Sequence, residues 1–147
     1  MTLENLLKTG QLKRHEADAK EVRRLLDAAR RNLRDAAATN ISPENRFDAA
    51  YKAVMQSALV ALMANGFIPD TKSPGHHAVV IQSLPKAIGM AADRIAVLDT
   101  LRRKRNLSDY TGEDIDQRSV DECRAEAKRL LDEVGAWLKK SHPELAA

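Results

Sequence analysis

Apolar residues recur along most of this chain at the three- and four-residue spacing of a helix, and nowhere in convincing strand alternation. Val22, Leu25, Leu26, Ala29, Leu33 and Ala36 fall on one face, and Lys20, Arg23, Arg24, Arg30, Arg31 and Arg34 on the opposite one. The pattern predicts an amphipathic helix from about Lys13 to Ala38. A short helix over "TLENLLK" precedes it, capped by Thr2 and ended by Gly10. "TNISPEN" breaks the pattern and restarts it. Ser42 suits the N-cap, Pro43 the first helical position and Glu44 the positive helix end. The helix that follows runs to Asn65 and is terminated by Gly66. It is the most apolar of all and is expected at the centre.

"GFIPDTKSPGHH" carries prolines and glycines without any period and reads as a loop. "HHAVVIQSL" predicts a short helix stopped near Pro85. Another helix is predicted over 86–106, with Ile88, Ala91, Ala92, Ile95 and Leu98 inward, and "SDYTGEDID" is expected to connect it onward. Ser119 and Glu122 have the spacing of a capping box. They open a last helix to about Lys140, with Val120, Cys123, Ala127, Leu130, Leu131, Val134 and Leu138 inside. The expected fold is all-α: one domain over 1–147, an antiparallel bundle of about four main helices plus short ones.

Composition narrows the function classes. Aromatics are 3% of the residues and net charge is +3, so an anionic partner is permitted but not required. The lone Cys123 excludes an internal disulfide and suits a reducing, cytoplasmic setting. No leader pattern follows Met1, and no apolar run reaches the ~20 residues of a membrane span. No cofactor is implied: Gly-rich phosphate loops, serine or cysteine triads and metal-ligand spacings are all missing. His76 and His77 are adjacent, which on a helix turns them about 100° apart and suits no shared metal. They are expected to cap, pack or contact a partner at the start of a helix. The basic face of the long helix lacks interleaved aromatics, so a solvated face is its ordinary explanation and a nucleic-acid contact the alternative. Phe47, Tyr51 and Trp137 are expected to pack, and Cys123 to be an inert small hydrophobe.

One stretch resists the bland description. In "LRRKRNLSDYTG", Arg105 lies four residues after Leu101 and seven after Leu98, extending their apolar face. A guanidinium there keeps its charge and needs a carboxylate, phosphate or carbonyl. A structural ion pair, with Asp109 or an acid of the last helix, satisfies that need. So does an anion site in which Arg105 holds phosphate with Asn106, Arg102 and Arg103 add field, and Asp109 and Tyr110 shape the surroundings.

"RRKRNLSDY", together with "ENRFDAAYKAVMQSALVALMANGF" and "GHHAVVIQSL", resembles the HEPN superfamily of small helical domains, and most closely a branch of the form R-N-x-x-D-Y. The resemblance covers about Lys13 to Leu138. It implies an antiparallel helical bundle dimerising through the motif helices, association with RNA or nucleotides, and a nucleotidyltransferase or antitoxin protein as partner. Many such domains are metal-independent ribonucleases whose motif places a His shortly after the Arg. Here the matching window holds Asp109 and Tyr110 and no His. A His near pKa 6.5 can act as base or acid at neutral pH, while a Tyr near 10 is a poor base. The expectation is therefore a binding module. A ribonuclease with an atypical site is the alternative, with His76 or His77 reaching the Arg105 cleft from another helix. A structural dimerisation domain is the third possibility.

Overall fold

The computed structural model describes residues 2–146, so Met1 and Ala147 of the expected 1–147 domain lie outside the described residues. The elements are α1 (Leu3–Lys8), β1 (Leu12–Arg14), α2 (Ala19–Ala36), α3 (Pro43–Ala64), β2 (Phe67–Pro69), α4 (His76–Ile88), α5 (Ala92–Thr111) and α6 (Gln117–Ser141). The fold is all-α, with one minimal sheet.

α3 is the central helix, as its sequence requires. Phe47, Ala50, Tyr51, Ala53, Val54, Ala58, Val60, Ala61 and Leu62 on it are all at most 1% exposed. It is buried on several sides, packing most extensively against α6 and α2 and then α4. Burial of each large apolar side chain contributes roughly 1.5–3 kcal/mol. Inter-helix bonds give the directions. Arg46 Nε, early in α3, donates to Ala36 O at the end of α2 (2.9 Å), and its Nη1 donates to Gln117 at the start of α6 (3.1 Å). Asn65, just past α3, donates to Ala87 O near the end of α4 (3.1 Å). α2 and α5 therefore run one way, and α3, α4 and α6 the other. Along the chain, the four long helices alternate in direction.

The local signals explain most boundaries. Thr2 Oγ1 accepts from Asn5 N (3.1 Å), and Ser42 Oγ from Asn45 N (3.2 Å) with Pro43 opening α3. Elsewhere the structure departs from the sequence expectation. α2 begins at Ala19 rather than near Lys13, because Asp18 and Glu21 form a reciprocal capping box. The residues ahead of it form β1 instead, paired antiparallel with β2 in the register Leu12↔Pro69, Lys13↔Ile68 and Arg14↔Phe67. Three-residue strands have no room for an alternation that a sequence scan could find. The clip is extended by His15 N donating to Gly66 O (2.8 Å) and Asp70 N to Gln11 O (3.0 Å). It anchors the loop that leads into α4.

Pro85 does not end α4. The helix passes through it to Ile88 and stops at Gly89. Ala91 and Ala92, expected inward, are exposed at the break. α5 starts at Ala92 and continues past Asn106 to Thr111, stopping at Gly112 in the left-handed conformation (φ 73°). Ser108, Asp109 and Tyr110 are thus helical rather than part of a connector. α6 is capped by Asp116, whose carboxylate accepts from Ser119 N (2.8 Å), so the cap lies three residues before the expected Ser119.

Candidate functional site

α5 buries little of itself: only Arg94, Leu98 and Leu101 are fully covered. Leu98 and Leu101 seat the helix on its neighbours, and the next turns carry Arg102, Arg105, Asn106 and Asp109 along its length. Running opposite to α3, α5 brings its C-terminal half against the first turns of that helix. Arg105 is therefore placed over Asp48 and Tyr51 of α3.

The Arg105 side chain is 28% exposed and approaches both carboxylates through one edge. Its Nε lies 2.9 Å from Asp109 Oδ2 and 3.6 Å from Asp48 Oδ1. The contacts are ion pairs without aligned hydrogen bonds, since the buried Nε–H points at neither acceptor. The guanidinium sits 5.4 Å from the centre of the Tyr51 ring. Its two terminal amines make no hydrogen bond to the described residues. Asp48 is shared with Lys52 at 3.6 Å.

Tyr51 is 1% exposed, and its hydroxyl meets His77 Nδ1 at 3.2 Å. Burial pushes its phenol up to about 12, against the pull of Arg105 and Arg102. The hydroxyl therefore keeps its proton and shares a hydrogen bond with Nδ1. Burial also lowers His77 below its ordinary 6.5, with His76, Arg105 and Arg102 acting in the same direction. A neutral imidazole carries one hydrogen on one ring nitrogen, so with Nδ1 engaged by Tyr51 the Nε2 atom is the one left to meet another group. The His76 and His77 rings touch edge to face, with centroids 4.8 Å apart. Gly75, left-handed at φ +74°, turns the loop into α4 immediately before them.

The six residues of the motif stretch divide. Arg105 and Asp109 are directly paired. Arg102 is tied to Asp99 (2.8 Å), which also holds Arg103 (3.1 Å); Arg102 is 20% and Arg103 72% exposed. Asn106 is half-buried, beside Arg105 on α5. Tyr110 is 86% exposed and takes no part in a ring contact or side-chain bond among the described residues. The aromatic ring at Arg105 is Tyr51, which the sequence marked only for packing. Asp48 was missed as well. Its signal was an acid one turn before Tyr51 on the most apolar helix, and its partner lies on a helix far away in the chain. His77 does reach the cluster, through Tyr51.

The acids of α6 serve a different arginine. Arg94 Nη1 lies 2.6 Å from Glu133 Oε1 and Nη2 3.3 Å from Glu126 Oε2, with the Arg94 side chain 9% exposed. Cys123 is buried and free, its thiol pushed up to about 12 by burial. Among the described residues, no three His, Cys, Asp or Glu groups converge as a metal site, and no helix is long and apolar enough to cross a membrane. The cations of α2 are exposed, Arg30 pairing with Asp27 at 2.9 Å. No family model matches the chain, and no curated protein matches it either.

Proposed function

We propose that this protein is a HEPN-like helical module that binds RNA or a nucleotide through phosphate, without cutting it. The observation that carries this reading is the posture of Arg105: carboxylates pair with its Nε edge, while its terminal amines have no hydrogen-bonding partner among the described residues. A guanidinium so oriented offers a two-pronged donor to a phosphate. Arg102 and Arg103 raise the local potential, and Asn106 supplies a neutral amide beside it. The test is RNA binding by Arg105→Ala in a chain that still folds. A nucleotidyltransferase-type protein or an antitoxin as partner follows from the resemblance to HEPN domains alone. A cytoplasmic setting fits the single unpaired cysteine.

Dimerisation is part of the proposal. α5 leaves Leu107 47% and Tyr110 86% exposed, three residues apart and hence on one face. A second copy of α5 would cover both. Light scattering at micromolar concentration should give a dimer, and Leu107→Asp should shift it to monomer. A wild-type monomer would remove the dimer and leave the fold untouched.

One contact favours a second reading, an atypical metal-independent ribonuclease: the Tyr51–His77 bond, which sets a titratable ring beside Arg105. Two features weigh against it. His77 is held neutral, which suits a base, but its Nδ1 is engaged by the buried Tyr51. Tyr51 is buried and keeps its proton. Incubation of single-stranded RNA with the wild-type protein and chelator near pH 7 should therefore give no cleavage above background. Cleavage that both Arg105→Ala and His77→Ala abolish would establish the ribonuclease instead.

A further inference from the structure

Beside the Arg105 cluster lies a cavity that the phosphate reading does not use. It has a volume of about 230 Å³, opens to solvent and is lined by Met55 and Leu59 of α3, Pro69 of β2, and His76, His77 and Val80 of α4. Its walls are mostly apolar, and two imidazole rings stand at its edge. The β1–β2 clip secures the Pro69 side, so three independent elements shape it. We infer that this cavity takes the base of a nucleotide whose phosphate is held by Arg105, with His76 and His77 against the base. The inference deepens the proposed function and rests on it.

Three observations support this occupant. First, His77 belongs to both halves: it lines the cavity and bonds Tyr51, over which Arg105 lies. Two ring contacts, 5.9 Å from His77 to Tyr51 and 5.4 Å from Tyr51 to the guanidinium, link the slot to the cation through the buried Tyr51. An apolar slot at one end and a cation at the other match a flat heterocycle joined to a phosphate. A purely apolar ligand would leave the cation unused, and inorganic phosphate would leave the slot empty. Second, the slot has polar groups suited to a base edge. Gln56, also in its wall, receives Asn32 Nδ2 on its carbonyl at 2.9 Å, which leaves its amide hydrogens free to donate. His77 Nε2 is a second polar atom at this edge. Aromatic and imidazole faces are what unpaired bases stack on. Third, Gln56 also lines a neighbouring depression with Arg31, Arg34 and Lys52. A strand leaving the slot in that direction would run directly onto the cations of α2.

The larger depression between α2 and α6, about 650 Å³, has no comparable claim. Its Lys128 and Arg129 are already paired with Asp132 (3.2 Å) and Glu133 (3.5 Å), Asp121 stands beside its third cation, Arg124, in the lining, and no ring lines it for a base to stack on.

The experiment compares ligands on the wild-type protein by calorimetry: AMP, GMP, CMP and UMP against ribose 5-phosphate. A base that stacks in the slot should make at least one mononucleotide about tenfold tighter or more than the sugar phosphate. The His76 and His77 ring resonances should move with that nucleotide and not with ribose 5-phosphate. Leu59→Trp, which fills the slot from its half-buried rim, should erase the difference while leaving ribose 5-phosphate binding unchanged. A single-stranded pentanucleotide binding much tighter than the mononucleotide assigns the base to a strand; equal affinity assigns it to a free nucleotide. Equal binding of nucleotides and sugar phosphate, with still histidine resonances, overturns the base slot. Arg105-dependent RNA binding then keeps the phosphate reading alive. Absence of any RNA or nucleotide binding at low salt overturns both.

Discussion

Arg94→Ala should lower the stability of the protein by about 3 kcal/mol, the low end for breaking a buried pair because Glu133 reaches solvent. Arg105→Ala should cost no more than about 1 kcal/mol. The two arginines lie on the same helix, and both face carboxylates. They differ in what surrounds them. Arg94 is 9% exposed and joins α5 to two acids of α6, one of them, Glu126, 17% exposed. Its removal strands those acids in a place where water compensates poorly. Arg105 is 28% exposed and its acids are 34% and 47% exposed. Without Arg105, solvent takes over Asp48 and Asp109, and only a cation–π contact worth about 0.5–1 kcal/mol is lost with Tyr51. Thermal unfolding followed by circular dichroism separates the two. The expected drop is roughly 6–12 °C for Arg94→Ala and a few degrees at most for Arg105→Ala. Equal drops would mean that Arg105 is a structural residue like Arg94, and the binding proposal would lose its main support.

That contrast also shows what the sequence can and cannot disclose. The inner faces of α2 and α6 were legible because each repeats an apolar residue every three to four positions over several turns, and α3 stood out as the most apolar helix. Ser42–Pro43, Gly66 and Thr2 act within a few residues of themselves, and they sit where expected. Long-range partnerships leave no such trace. Arg94 sits at a position where the helical period admits a core residue, yet nothing local reveals that Glu126 and Glu133 await it 32 and 39 residues further on. Arg46 presents the same case, spanning 71 residues to Gln117. The β1–β2 pairing joins segments too short to carry a period. Pro85 misled because a proline's missing N–H costs one bond, which the packing of Val79, Val80, Ile81 and Leu84 against the core outweighs.

The candidate site was half legible for the same reason. Arg105 and Asp109 lie one turn apart on α5 and meet directly. Asp48, Tyr51 and the His77 contact come from other helices, and only the fold assembles them. Tyr110 shows the converse error. It is adjacent in sequence to Asp109, but a helix turns its side chain away, and α5 extends far enough to make it helical.

The largest functional effect should come from Arg105. If its terminal amines hold a phosphate, Arg105→Ala removes a charged hydrogen bond worth about 1.5–3 kcal/mol, a loss of about tenfold or more in affinity for single-stranded RNA at low salt. It should also reduce the slope of log affinity against log salt by about 0.7, the share of one neutralised phosphate on a single strand. Arg103→Ala, at a side chain 72% exposed, should weaken binding less, because that residue adds field without a fixed geometry. The sharpest variant is Asp109→Asn. As a mere partner of Arg105 in a structural pair, Asp109 would leave binding unaffected when neutralised. Beside a bound phosphate, its charge repels the ligand, so neutralising it should raise affinity. Fluorescence anisotropy with a labelled oligonucleotide across a salt series measures all three. Opposite changes in Arg105→Ala and Asp109→Asn, in chains of near-equal stability, place the phosphate at the guanidinium. Unchanged affinity and slope in Arg105→Ala would return Arg105 to the role of a surface ion pair, and any RNA binding to the cations of α2.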